Sequence, residues 1–334
     1  MAKRRARKGW LWALALAMPT AVGLYAASAL RPTAPGPATT FRIEKNLGLS
    51  QALGLPEVAT AVRDRTVWSA YANLKGQPPT VTQGTYRVRP GMTPDELFRA
   101  LRNPIRQMVR LPEGWWIART AKRLEEMGVC RAEEYVKVAS QPERFRDSAG
   151  FPLPSGSLEG YLFPDTYDLP PLLGAEAVVR RQLDAFAKRA APLEPDPEKL
   201  RRAVIVASLV ELEAGVDEER AKIAGVIENR LARKMRLEID ATVLYALQEW
   251  KQLGPGVVRT VQSPFNTYLN FGLPPGPIGS PGLKSLEAAL KPDQHGYLFY
   301  VARPDRTHYF ARTYEEHRSN IRRARLERQA QGNP

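Results

Sequence analysis

The chain is poor in the residues that most enzyme chemistries need. Its 334 residues include one cysteine, Cys130, and three histidines, His295, His308 and His317. A lone thiol closes no intrachain disulfide and builds no cysteine-rich zinc site, and the histidines lack HExxH spacing. GxSxG, GxxxxGK[ST] and a GxGxxG that opens a helix after a strand are all missing. Their absence removes the common serine-nucleophile, phosphate-loop and dinucleotide readings. No cofactor or metal is implied, and Cys130 reads as a small core residue.

Acidic residues are also in deficit. Against 49 Lys and Arg stand 35 Asp and Glu, a net charge of +14. Such a balance invites a nucleic-acid reading, but its distribution argues otherwise. Lys3, Arg4, Arg5, Arg7 and Lys8 at one end, and Arg318, Arg322, Arg323, Arg325 and Arg328 at the other, carry most of the excess. The body between them has an ordinary surface. After the first basic cluster comes "WLWALALAMPTAVGLYAASAL", Trp10–Leu30, uncharged throughout. At about 1.5 Å per residue it is long enough for a bilayer core, so a single N-terminal transmembrane helix is expected. "ASA" at Ala27–Ala29 leaves a cleaved signal as the alternative. The basic flank would stay inside, which places the rest outside the cytoplasm, on a single-pass inner-membrane protein.

Beyond residue 30 the pattern is α+β. "RPTAPGPATT" reads as a stiff Pro-rich linker over 31–39. Strand-like alternation in "TFRIEK" and "GTYRVRP" brackets a small module placed at 40–150. That module also holds a helix opened by the Thr93/Glu96 capping box with Pro94 at its first turn. A second domain is expected over 151–318, followed by a basic tail at 319–334. It begins with the turn- and aromatic-rich "PSGSLEGYLFPDTYDLP", runs through amphipathic helices, and closes on a hairpin turning at Pro304–Thr307. "QSPFNTYLNFGLPPGPIGSPG" is too rich in Pro and Gly for regular structure and reads as a functional loop. No internal repeat is visible.

The stretch "RRAVIVASLVELEAG", Arg201–Gly215, is apolar from Ala203 to Val210 except for Ser208, then ends in Glu211 and Glu213. On a helix these two carboxyls point about 200° apart, so only one shares a cleft with Ser208, one turn before Glu211. A carboxyl at the end of a buried helix loses solvation, which disfavours its charged form and suits it to donate a proton. From spacing alone Glu211 is either such an acid or the solvated end of a helix that surfaces here, with Glu213 facing elsewhere, toward solvent or the following turn.

Several motifs in order, "LEGYLFPDTY", "ASLVELEAG", "IAGVIENRL", "MRLEIDATVLYAL", "SPFNTYLNFGLPPGPIGSPG", "LKSLEAALKP", "YLFYVA" and "HYFARTYEEH", resemble the YceG-like family, the endolytic murein transglycosylases. The resemblance covers roughly residues 40 to 320. It implies a membrane anchor, a LysM-like module and a catalytic domain. It also implies cleavage of the MurNAc–GlcNAc bond of nascent peptidoglycan with 1,6-anhydro ends, and the anchor would set this work beside cell-wall synthases. It places the catalytic glutamate at Glu211. The chain departs from the family pattern at Glu238, Ala241 and Phe265. In such a reaction the sugar's own C6 hydroxyl attacks, so a second enzymic carboxylate is not required, unlike in ordinary glycosidases.

The substrate-binding candidates are Ser208, Asn229, Asp240, Asn266, Tyr268, Glu159 and Tyr161. Trp115 and Trp116 are exposed aromatics to be tested, and His308 and His317 read as structural. Three rivals stand beside the transglycosylase: a muramidase using Asp240 or Glu159 as second carboxylate, a non-catalytic wall-binding anchor, and a nucleic-acid binder.

Overall fold

The computed structural model describes residues 17–251, 253, 254 and 256–331. It is α+β and divides into two compact units: one holds everything up to Gln107 together with Pro170–Leu173, the other Met108–Leu169 and everything from Gly174 onward.

Residues 17–29 form helix α1. The transmembrane helix expected over Trp10–Leu30 is not supported, and the single-pass inner-membrane localisation goes with it. Among the described residues no helix is long and apolar enough to cross a membrane. Residues 10–16 of that segment lie outside the described residues. The described helix ends at the first unit: the buried Trp68 indole donates to the carbonyl of Ala29 at 2.8 Å, and Tyr25 donates its hydroxyl to Asp64.

The first unit carries β1 (Thr39–Ile43), β2 (Leu47–Gly48), α2 (Leu49–Ala52), α3 (Pro56–Ala59), α4 (Arg65–Leu74), β3 (Thr80–Val81), β4 (Gly84–Val88) and α5 (Pro94–Arg102). β1 pairs antiparallel with β4, setting Phe41 opposite Tyr86, and β2 pairs with β3. The alternation read from sequence puts Phe41, Ile43, Tyr86 and Val88 in one core with Trp68, Leu97 and Phe98. α5 has the expected capping box: Thr93 Oγ1 accepts from Glu96 N–H, and the Glu96 carboxyl accepts from Thr93 N–H. The Pro-rich segment 31–39 is not a free spacer. Arg63 donates to the carbonyls of Arg31 and Pro32, and the Thr33 hydroxyl donates to Thr60 O while accepting from Gly91 N–H. The LysM-like label is not supported by anything beyond this small α+β content.

The second unit begins at β5 (Met108–Leu111), earlier than the expected break at 150. The cause is pairing: β5 runs antiparallel to β6 (Asp165–Asp168), with Arg110 opposite Thr166. Helices α6 (Ile117–Glu126), α7 (Ala132–Ala139) and α8 (Ala175–Arg189) therefore belong with the later elements. α9 (Pro197–Glu213) is the axis of the unit. Asp196 caps it by accepting from Glu198 and Lys199 N–H, and Pro197 sits at its first turn. From Ala203 to Val210 every residue is buried, which is why the stretch is apolar on all sides rather than along one stripe. Around it pack α10 (Arg220–Ala232), α11 (Asp240–Leu247) and α12 (Leu283–Leu290). The expected hairpin is β7 (Phe299–Ala302) with β8 (His308–Ala311). The expected basic tail is largely the continuation of a helix, α13 (Tyr314–Ala330), packed on that hairpin with Ala324 buried.

Candidate active site

The two glutamates at the end of α9 open onto two different clefts, as their angular separation requires. Glu211 faces a cleft of about 500 Å³. Its side chain is 8% exposed, with Oε1 accepting from Arg220 Nη1 at 3.0 Å and Oε2 from the backbone N–H of Gly282 at 2.9 Å. Gly282 is the N-cap of α12, so the carboxyl meets the positive end of that helix. A Cβ on Gly282 would stand 3.3 Å from Glu211 Oε2 and 3.0 Å from Glu113 Cγ. A side chain there would crowd both glutamates. Arg220 continues the clamp, donating to Ser285 Oγ at 2.6 Å and Asp217 Oδ1 at 2.9 Å. The carboxyl of Glu211 thus straps together the ends of α9, α10 and α12.

Glu213 does not face solvent. Its carboxyl is enclosed, and burial pushes its pKa up to about 7; the nearby Asp240 adds to the rise, while the Tyr300 hydroxyl and Arg230 oppose it. Tyr300 donates to Glu213 Oε2 at 3.0 Å. The cleft it lines measures about 410 Å³ and includes Asp240, Tyr268, Phe299, Tyr300 and Tyr314. Tyr268 donates its hydroxyl to Asp240 Oδ1 at 2.6 Å. Glu238, on the same wall, holds a left-handed backbone (φ 50°), with its N–H on Thr267 O at 3.2 Å. A carboxyl poised near neutrality, a second carboxylate and several aromatic rings in one cleft are the groups that general acid–base chemistry on a sugar would use.

Of the substrate-binding candidates, Asp240 and Tyr268 share the Glu213 cleft, as do His308 and His317, and none lines the Glu211 cleft. Glu159 and Tyr161 border a third cavity of about 300 Å³. There Glu159 accepts from the Ile117 N–H at the start of α6 (3.2 and 3.1 Å) and from Tyr245 at 3.4 Å. Burial, opposed by these donors, pushes its pKa up to about 8. Tyr161 is core, packed against Phe151 and Phe186, and burial pushes its hydroxyl up to about 12.

Ser208 donates to Ile205 O and accepts from Ile278 N–H at 3.1 Å, pinning the Pro/Gly loop to α9. Asn229 donates to the carbonyls of His295 and Tyr297, and Asn266 to those of Val258 and Val261. All three spend their polar atoms on backbone that regular structure leaves unpaired. Trp116 is buried against Tyr245, whereas Trp115 lies under the Arg119 guanidinium at 4.4 Å. His308 bonds Glu219 at 2.7 Å, and His317 stacks on Phe299.

Sequence reasoning missed Tyr300, Arg220 and Gly282. Arg220 alone carried a local signal, a base nine residues after Glu211 on the next helix.

An α+β unit built round a buried helix that ends in two divergent carboxyls, with an acid poised near neutrality in an aromatic cleft, defines a candidate polysaccharide-cleaving protein. The chain belongs to the YceG-like family, whose model matches residues 41–323. A protein of Bacillus subtilis named "Endolytic murein transglycosylase" is 38% identical over 165 residues, 48% of this chain and 46% of its own length. One of the same name from Streptococcus pneumoniae is 29% identical over 318 residues, 82% of this chain and 57% of its own. The chain thus spans about half the length of the curated relatives it matches. A crystal structure of a yceG-like protein from Listeria monocytogenes is similar at a TM-score of 0.59 and 28% identity, covering 84% of this chain and 98% of that one.

Proposed function

We propose that the chain cleaves the MurNAc–GlcNAc bond of peptidoglycan strands, endolytically, as a lytic transglycosylase, and that Glu213 is its general acid and base. The observation that carries this reading is the enclosed Glu213 carboxyl, pushed up to about 7 in a cleft with Asp240, Tyr268 and Tyr300. Near pH 7 a substantial share of it is protonated and ready to donate to the leaving glycosidic oxygen. The carboxylate so formed takes the proton of the MurNAc C6 hydroxyl as that oxygen attacks C1. The C1–O bond to the leaving sugar breaks, the C1–O6 bond forms, and the proton returns to Glu213, so no water is consumed. Aromatic faces beside the cleft suit the apolar faces of sugar rings. The names of the relatives support the same substrate.

Glu211, the acid expected from resemblance, is assigned a different task. With Arg220 and Gly282 N–H on its two oxygens, it anchors the end of α9 and so positions Glu213. Work beside wall synthases was argued from the membrane anchor and is not carried forward.

Asp240 favours a second reading. A carboxylate in the cleft of the acid could activate a water or attack the sugar itself, giving a muramidase. Mass analysis of digested strands separates the two. Anhydro ends support transglycosylation; reducing ends overturn it in favour of hydrolysis; binding without cleavage by wild type leaves only the wall-binding anchor.

A further inference from the structure

The proposed chemistry uses one side of the α9 terminus. The cleft on the Glu211 side, about 500 Å³, is left without a task. We propose that this second cleft binds the short peptide stem of a peptidoglycan strand through the stem's carboxylate and ammonium groups; this rests on the substrate reading above.

Three observations carry it. The first is the charge pattern. Arg110, Arg189 and Lys284 line the cleft together with Glu113, Asp165 and Asp217. Sugars are neutral apart from substituents, and a surface that grips them uses ring faces and hydroxyls, as the Glu213 side does. The stem is the part of the polymer that carries both signs of charge within a few residues, which matches a lining of both signs.

The second is which charges are already spent. Arg189 holds Asp165 at 2.8 Å, Lys284 and Arg220 both hold Asp217, and Arg220 holds Glu211 at 3.0 Å. Arg110 and Glu113 make no ion pair among the described residues. Arg110 projects from an outward position of β5 beside Thr166, and Glu113 lies next to Gly282. One free guanidinium and one free carboxyl at the mouth of a cleft built from fixed pairs are the two contacts a carboxylate and an ammonium require. The planar fork of Arg110 also allows a bidentate grip on the carboxylate.

The third is reach. A helix with its side chains is about 10–12 Å across, and a five-residue stem extends roughly 17 Å. A stem hanging from a MurNAc held on the Glu213 side is long enough to pass the end of α9 and enter the other cleft. The two divergent glutamates would then divide one substrate, sugar on one side and peptide on the other.

The test is calorimetric titration of the full chain with a sugar-free stem pentapeptide bearing a free ε-amino group, and with the same peptide amidated at its C-terminus. Saturable binding is expected, weakened by added salt. It should fall about tenfold for Arg110→Ala and about as much for the amidated peptide, with Arg110→Lys in between. No saturable heat with wild type overturns the proposal, as does an affinity for the unamidated peptide that Arg110→Ala leaves at the wild-type value, or a wild-type affinity that amidation leaves unchanged. Strand digestion by wild type is scored separately. A chain that binds peptide but cuts no strand sinks the transglycosylase reading and not the site, and one that cuts strands without binding peptide sinks the site alone.

Discussion

Replacing Tyr300 by Phe isolates what sets the proton affinity of Glu213. The change keeps the ring that fills the cleft wall and removes one atom, the hydroxyl that donates to Glu213 Oε2 at 3.0 Å. Burial holds the carboxyl at about 7 against that donor. A hydrogen bond to a charged acceptor contributes about 1.5–3 kcal/mol, and about 1.36 kcal/mol corresponds to one pKa unit. Without the donor the ionised form loses its support, and Glu213 should titrate about one to two units higher. The acid form begins the reaction, so kcat/KM for strand cleavage should fall as pH rises through about 7 in wild type. In Tyr300→Phe that fall should begin about one to two units later. Asp240→Asn should move it the other way, because it removes a like charge that raises Glu213. The assay is initial-rate release of soluble fragments from purified strands, buffered from about pH 5 to about pH 10. Two variants that leave the alkaline limb in place, or shift it in the same direction, refute Glu213 as the titrating acid.

The stability of the chain should report the same carboxyl. Its folded value of about 7 lies above the ordinary 4.5, so the stability it supplies is whole below about pH 4.5 and is lost as pH rises through about 7. Urea unfolding of wild type and Glu213→Gln should diverge across that window by about 3 kcal/mol, wild type losing ground at alkaline pH; parallel curves would contradict the enclosed carboxyl. Glu211→Gln keeps an acceptor for Gly282 N–H but leaves Arg220 without that charge, though Arg220 retains Asp217. It should lower kcat and cost about 1–2 kcal/mol while leaving the alkaline limb unmoved. Loss of all cleavage in Glu211→Gln, with wild-type rates in Glu213→Gln, would return the acid to Glu211. Gly160→Ala should lower Tm by several degrees in calorimetry, because Gly160 has φ +82° and a Cβ there would stand 2.5 Å from Pro277; an unchanged Tm would show that the Pro/Gly loop yields.

What could be read from sequence and what could not divide along chain distance. The cap at Thr93, the Phe41 and Tyr86 alternation and the all-round burial of 203–210 are set by residues within a few positions of one another. Each was legible, and the helical angle between Glu211 and Glu213 was too. The choice between those two was not, because each carboxyl takes its character from partners far along the chain. Gly282 lies 71 residues from Glu211, and Tyr300 lies 87 from Glu213. The same limit applies to Ser208, Asn229 and Asn266, the candidates for sugar contact. A polar side chain in an apolar stretch tells only that something must satisfy it, and here the backbone of the irregular segments around Val261, Ile278 and His295 does so. A long Pro/Gly loop cannot pair its own amides and carbonyls in a ladder, so folding it over α9 requires buried side chains to do the pairing. The polar residues nearest the loop are therefore consumed in holding it. The groups left to meet a ligand are those that no backbone claims: Glu213 with Tyr300 on one side of the helix end, Arg110 with Glu113 on the other.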